Sequence, residues 1–293
     1  MQAIIVLLLL LIGVTCKSTF KNVQFSGYRL YKQVFEHRIK SSEVLHPYIP
    51  NVEYDTIKIT NQNIPVLVNG SLSNLFKLDE LIIDRNNITQ IGSDVFFNLP
   101  RLRVLSISDN ELSTIDSGTF NKLNVSYLTL SRNKINYIVD SAFDDMPNLI
   151  QIDLSENLLN SKNLIRTASF HNLAGVRRFG YVILNLTIDL RHNRLRELHS
   201  NIFEGLTNVQ ELLMDYNFIS EVQENVLPHK TEYLGLTHNN ISCFYGDLNK
   251  VLTAQVVNIE MNPLQCSCYK KIIKWRKRNK HIIKLDKLLQ CDS

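Results

Sequence analysis

The stretch LRVLSISDNEL, residues 102–112, decides the fold of this chain. Leu105 and Ile107 are two residues apart, so both side chains point to the same side of a short β-strand. Asn110 follows where the chain turns out of that strand, and its amide can bond backbone groups that the turn would leave buried and unpaired. The stretch therefore predicts a strand that faces a core, followed by a turn that an asparagine stabilises.

The same pattern, L-x-x-L-x-L-x-x-N-x-L, recurs along residues 51–264. Nine copies place an amide at Gln62, Asn86, Asn110, Asn133, Asn157, Asn193, Asn217, Asn239 and Asn262. Successive amides are 22 to 24 residues apart, except for an interval of 36 residues between Asn157 and Asn193. A single repeat cannot bury its apolar face alone, so we expect an α/β solenoid whose parallel strands stack.

Two further features refine this solenoid. A large apolar residue stands ten residues after five of the amides and predicts a second apolar column beneath the convex side: Phe96, Phe120, Phe143, Phe203 and Leu227. The long interval predicts an insertion at about residues 158–184, in a loop at the edge of the solenoid. Such a loop could be neutral or could make contacts. The copy after it is expected to begin at Asn185, a polar residue at a normally apolar position.

Residues 1–16 have the pattern of a signal peptide. An apolar run from Ala3 to Ile12 is too short to span a bilayer, and small residues precede the polar Lys17. We expect cleavage after Cys16 and a secreted, extracellular product. No second long apolar run follows, so no transmembrane anchor is expected.

Four cysteines remain after that cleavage, all near the C-terminus: Cys243, Cys266, Cys268 and Cys291. In an exported chain they favour two disulfides. Zinc is disfavoured because no histidine lies at ligand spacing beside Cys266 and Cys268.

The repeat resembles the extracellular class of leucine-rich repeat, which forms a horseshoe with a parallel concave β-sheet. Residues 265–293, with a Cys-x-Cys pair followed by Trp275, look like the cysteine-rich C-terminal cap of that family. The resemblance implies a bond between Cys266 and Cys291. This chain lacks the fourth cysteine of the family cap, which normally lies further downstream. Cys243 therefore remains as the partner of Cys268.

The N-terminal side differs from the usual family pattern. Residues 17–50 contain no cysteine and are rich in aromatic and β-branched residues, which predicts a strand or hairpin that caps the first repeat. The segment from Ile57 to Leu67 resembles secreted leucine-rich-repeat proteins of insects, including complement-like immune factors. That resemblance implies recognition of a protein or microbial surface in innate immunity. The alternative is a structural protein of the extracellular matrix that binds glycans.

Candidate sites fall into two groups. Glycosylation sequons begin at Asn69, Asn87, Asn124, Asn185 and Asn240. A mixed-charge patch on the concave face is a candidate ligand-binding surface, with a solvated face as the alternative: Asp153, Glu156, Asp189, Arg191, His192, Asp215 and Tyr216. Asp153 and Asp189 should share one column, and Glu156, His192 and Tyr216 another. No catalytic, metal or cofactor motif is present, so we expect no enzyme.

The segment from Lys270 to Lys287 concentrates positive charge. It holds nine Lys or Arg residues against one Asp, in a chain with a net charge of +4. One interpretation is an anionic-glycan or surface-binding site. The other is a cap helix whose apolar side packs on the last repeat while its basic side faces water. Nucleic acid is not expected as an extracellular partner.

Overall fold

The computed structural model describes residues 19–293 apart from 121, 140–141, 144–145, 166–175, 180–181, 199–201, 204–205, 207, 229, 280, 288–290 and 292–293. The expected signal peptide, residues 1–16, lies outside the described residues. Within the described ranges the chain winds as a solenoid around one continuous apolar core.

One short strand from each repeat joins a single parallel sheet. These strands are β3 (Thr56–Lys58), β5 (Glu80–Ile82), β7 (Val104–Ser106), β9 (Tyr127–Thr129), β11 (Gln151–Asp153), β13 (Val182–Asp189), β14 (Val209–Leu213), β16 (Thr231–Gly235) and β18 (Val256–Asn258). Each pairs with the strand of the next repeat. The predicted parallel solenoid is therefore confirmed, and its strands coincide with the copies found in the sequence.

Two stacked apolar columns run through the core. The next-to-last residue of every repeat strand is 0% exposed: Ile57, Leu81, Leu105, Leu128, Ile152, Ile188, Leu212, Leu234 and Val257. In the second column, Phe120 stacks between Phe96 and Phe143, with ring centroids 6.0 and 6.2 Å apart. Phe203 and Leu227 are also buried, so the predicted second column is confirmed.

The turn asparagines tie each repeat to the one before it. Asn110 Nδ2 donates to the carbonyl of Ile83 at 2.9 Å, and its Oδ1 accepts from the backbone N–H groups of Asn86 and Ile88 at 2.9 and 3.0 Å. Because Asn110 is buried, these bonds satisfy groups that water cannot reach. The half-buried Gln62 instead accepts from the backbone of Gln24 at the N-terminal end.

Short strands on the loops form three additional parallel pairs. They are β4 (Val66–Leu67) with β6 (Gln90–Ile91), β8 (Thr114–Ile115) with β10 (Tyr137–Ile138), and β15 (Glu221–Val222) with β17 (Cys243–Phe244). The second residue of each strand is buried. These ladders were not predicted from the sequence, and they line a further wall of the core.

An antiparallel hairpin covers the first repeat. It consists of β1 (Phe20–Arg29) and β2 (Lys32–Ser42), and β1 pairs antiparallel with β3. Phe20, Phe25 and Ile39 are buried and close the open end of the core. A 3₁₀ turn, His46–Tyr48, then leads into the first repeat.

A short helix, α2 (Leu248–Val251), precedes the strand of the last repeat. The C-terminal cap then combines α3 (Cys266–Arg276) and β19 (Ile282–Lys284), and β19 continues the sheet beside β18. A disulfide joins Cys266 to Cys291, the pairing that the resemblance implied, and a second joins Cys243 to Cys268, the cysteines that this pairing left over. The buried face of α3 includes Ile272, which covers the core. The strand β19 was not predicted from the sequence.

The long interval is only partly a loop. It contains α1 (Ser161–Ile165) and β12 (Val176–Phe179), which pairs antiparallel with the first half of β13, whereas residues 166–175 and 180–181 lie outside the described part. A register shift after Leu186 places that buried side chain opposite Val209. The expected start of this copy at Asn185 was therefore wrong by one residue, because the bulge lets Leu186 fill the apolar position.

Candidate functional site

The residue before each turn amide has a left-handed backbone conformation. Its φ lies between 51° and 58° in all nine repeats, which gives the turn column Asn61, Arg85, Asp109, Arg132, Glu156, His192, Tyr216, His238 and Met261. None of these residues is a glycine, although this region favours glycine. Each turn therefore displays a side chain at some conformational cost, and neighbouring members lie one repeat apart.

The N-terminal half of the turn column is a chain of ion pairs. Arg132 donates to Asp109 at 2.7 and 3.0 Å, and its guanidinium also lies 3.7 Å from the carboxylate of Glu156. The hydrogen bond from Arg132 is the main cause that lowers the pKa of Asp109. Arg85 approaches Asp109 at 3.7 Å from the other side. Pairs this exposed contribute at most about 1 kcal/mol, so this half is a solvated charged surface.

The C-terminal half of the column is aromatic. The ring of Tyr216 stacks on His192 with centroids 4.4 Å apart and planes 10° apart, and on His238 at 4.2 Å and 16°. Tyr216 nevertheless stays 45% exposed. The three rings, which we call the aromatic stack, hold one another in position and present their edges to solvent.

Asp189 and Arg191 form a bidentate pair beside the aromatic stack. Arg191 donates to the two carboxylate oxygens at 2.5 to 3.0 Å, and its backbone N–H also bonds Asp189 at 3.0 Å. The side-chain hydrogen bond to Asp189 is the main cause that raises the pKa of Arg191. Asp189 is only 4% exposed, so its role is to orient Arg191.

The other two aspartates of the predicted patch bond to turns. Asp153 accepts hydrogen bonds from the backbone N–H and the hydroxyl of Ser155. Asp215 accepts from the backbone N–H and the hydroxyl of Thr237, each at 2.8 Å. The prediction that Asp189 and Asp215 present their carboxylates on the surface was wrong, because both are buried by the hydrogen bonds they accept.

The predicted columns were otherwise correct. Asp153 and Asp189 are partners in register on β11 and β13, and Glu156, His192 and Tyr216 occupy successive turns. His238 was missed. Its position directly before Asn239 is the sequence signal that could have found it.

An apolar row on the sheet begins in the repeat of His238 and continues from there toward the C-terminus. Tyr233, Val256 and Ile282 are partners in register on β16, β18 and β19, and Ile282 is 58% exposed. This row was not predicted from the sequence either. Aromatic rings beside exposed apolar side chains, with charges at the rim, form the kind of surface that protein interfaces use.

Four of the five sequon asparagines are exposed: Asn69, Asn87, Asn124 and Asn240. The backbone of Asn185 belongs to β13, where it pairs with Val176, and its side chain lies outside the described part.

In the part of the chain that the structure describes, no group of three or more His, Cys, Asp or Glu side chains could hold a metal ion, and no helix is both long and apolar enough to cross a membrane.

Comparisons with known proteins agree with the observed architecture. The family model "Leucine rich repeat" matches residues 76–135 and 124–179. The curated proteins contain no match to this chain. Among solved structures, human 5T4 (Wnt-activated inhibitory factor 1, trophoblast glycoprotein) is similar, with a TM-score of 0.53 and 18% identity over 71% of this chain and 76% of that chain. At this identity the likeness shows the fold alone, which is a leucine-rich-repeat solenoid with disulfides near its C-terminus.

Proposed function

We propose that this chain is a secreted, non-enzymatic recognition protein that binds a protein ligand through its C-terminal repeats. The observation that carries the proposal is the aromatic stack of His192, Tyr216 and His238. Nine turns share one backbone conformation, but among the described residues only these three place rings in contact along the turn column.

Two properties of the stack favour ligand binding over a solvated face. Its rings are fixed by mutual stacking, so little side-chain entropy remains to be lost when a partner binds. The apolar row of Tyr233, Val256 and Ile282 supplies area that a partner can bury, while the Arg191–Asp189 pair gives a charged rim. In the ion-pair half, the equivalent strand positions carry a shorter apolar row of Val104 and Tyr127, flanked by Glu80 and Gln151 and without stacked rings on the turns.

The extracellular setting is part of the proposal. It is supported by the signal-like residues 1–16, by the two disulfides and by the exposed sequon asparagines. We expect the secreted protein to migrate above its polypeptide mass and to shift downward on enzymatic deglycosylation. An unshifted band from an intact secretory pathway would contradict this setting.

The finer proposal is an innate-immune ligand, either a protein or a microbial surface, which follows from the insect-type resemblance. Its test is capture from extracellular fluid of the source organism with and without microbial challenge. Capture of the same partner at equal yield from both fluids would argue for a constitutive role.

The binding experiment compares two variants of the secreted chain. The first carries His192→Asn, Tyr216→Asn and His238→Asn, because asparagine tolerates the left-handed turn and the fold should survive. The control carries Phe76→Ala and Phe97→Ala, which remove exposed rings from loops away from the sheet. We expect the first variant to lose at least about tenfold in affinity for the captured partner, as removal of central aromatic residues does. Equal binding by both variants would refute the proposed site.

A further inference from the structure

The cap helix α3 exposes a row of cations. Four exposed cations follow one another at spacings of four, three and one residues, and we call them the basic stripe: Lys270, Lys274, Lys277 and Arg278. At about 100° per residue they lie on one side of the helix and of the turn that continues it. The opposite side is buried and contains Cys268, Tyr269 and Ile272.

Other cations of the cap serve the fold itself. Lys271 donates to the carbonyls of Phe244 and Gly246 at 3.2 and 2.9 Å, and Arg276 lies 3.4 Å from the carbonyl of Ile283. Lys274, Lys277 and Arg278 differ, because no ion pair joins them to a carboxylate in the part of the chain that the structure describes.

The acidic residue that neighbours the basic stripe in sequence bonds to the backbone of another segment. Asp286 is the one acidic residue between positions 270 and 287, and its carboxylate accepts from the backbone N–H of Met261 at 2.5 Å. The dipole of α3 favours cations at its C-terminal end, which accounts for Lys274 and Lys277. Lys270 lies in the middle of the helix and is exposed.

We propose that the basic stripe binds a linear sulfated glycan, at a site separate from the aromatic stack. The stripe extends about 12 Å along the helix, a length that can follow several charges of an anionic polymer. Binding such a polymer releases its condensed counterions, so several cations in a row gain more than the same cations scattered. This site goes beyond the proposed function, because a glycan could bind here whatever protein the stack recognises.

The structure favours a glycan over an anionic membrane. A helix that binds a bilayer surface inserts an apolar face between the lipids. The apolar face of α3 is already buried, and the disulfides at Cys266 and Cys268 hold the helix against the solenoid. A soluble polymer needs only the exposed charges.

The experiment measures heparin binding by the full secreted chain. The stripe variant carries Lys270→Gln, Lys274→Gln, Lys277→Gln and Arg278→Gln. A control with the same change in charge carries four substitutions on exposed cations of the N-terminal hairpin: Lys21→Gln, Lys32→Gln, Arg38→Gln and Lys40→Gln. At about 0.15 M salt we expect the stripe variant to lose at least tenfold in affinity for a heparin fragment, with a shallower salt dependence. The control should change less than about twofold if net charge alone contributes little.

Three results would overturn the proposal. They are equal losses in the two variants, undiminished binding of the wild type to desulfated heparin, and tighter binding to phosphatidylserine vesicles than to heparin. Circular dichroism checks that each variant is folded. If the stripe variant is not secreted, Lys277→Gln with Arg278→Gln repeats the test at the end of the helix, where an unchanged affinity would equally refute it.

Discussion

Replacing Asn133 with alanine tests how the turn amides hold the solenoid together. Asn133 is 7% exposed, and its Oδ1 accepts from the backbone N–H of Leu112 at 3.1 Å. Its Nδ2 donates to the carbonyls of Ile107 and Leu130, but those oxygens also accept from Asn110 and Asn157. The substitution therefore leaves one buried donor unpaired, and we expect a loss of about 1–3 kcal/mol in stability.

Two companion substitutions make the prediction quantitative. Asn110→Ala leaves two buried N–H groups, those of Asn86 and Ile88, without their acceptor, so its cost should be about twice that of Asn133→Ala. Gln62→Ala removes a half-buried amide at the end of the array and should cost less than about 0.5 kcal/mol.

The assay is unfolding of the full chain in denaturant, with hydrogen exchange of the peptide around Leu112 as a local readout. The expected order of stability is wild type and Gln62→Ala together, then Asn133→Ala, then Asn110→Ala. A melt of Asn133→Ala that overlays the wild type, or a Gln62→Ala variant as unstable as Asn110→Ala, would refute the reasoning.

Three further predictions concern the core, the cap and the charged turns. Phe120→Ala should lower the free energy of unfolding by about 3–5 kcal/mol, because the ring fills the space between two stacked neighbours. A free energy of unfolding within about 1 kcal/mol of wild type would show that the column is loosely packed. Cys291→Ser removes the disulfide that closes a loop of 25 residues, a bond that stabilises the fold by about 3–4 kcal/mol. Hydrogen exchange should therefore increase first around Ile283 and leave Leu105 protected. Uniform loss of protection along the chain would contradict this. The lowered pKa of Asp109 means that its ion pair stabilises the fold above the ordinary pKa of about 4 and is lost as the pH falls through the lowered value. Asp109→Asn should therefore flatten the acid limb of stability against pH, and an unchanged limb would show that the pair contributes nothing.

The repeats could be predicted from the sequence because one local pattern determines both the strand and its turn. The spacing of Leu105, Ile107 and Asn110 already specifies which side chains are buried and where the chain turns. The copy near Asn185 was misaligned by one residue because the register shift arises in the pairing of β13 with β14, a contact that no local pattern encodes. The last strand, β19, was missed for a related reason: Ile282–Lys284 forms a strand only because β18 offers a free edge.

The candidate site was predicted in part. Sequence spacing placed His192 and Tyr216 in one column, but exposure could not be judged from spacing. Asp189 and Asp215 are therefore buried supports, whereas both were expected at the surface. The stack itself depends on ring orientations, which are set by packing between repeats.

The most direct test of the account is photo-crosslinking at the aromatic stack. A benzophenone amino acid replaces Tyr216 in one secreted protein and Phe97, an exposed ring on a loop away from the sheet, in another. Both proteins are irradiated in extracellular fluid of the source organism. The account predicts a discrete crosslinked partner from position 216 and none from position 97. No adduct at 216, or the same adduct from both positions, would contradict recognition through the stack.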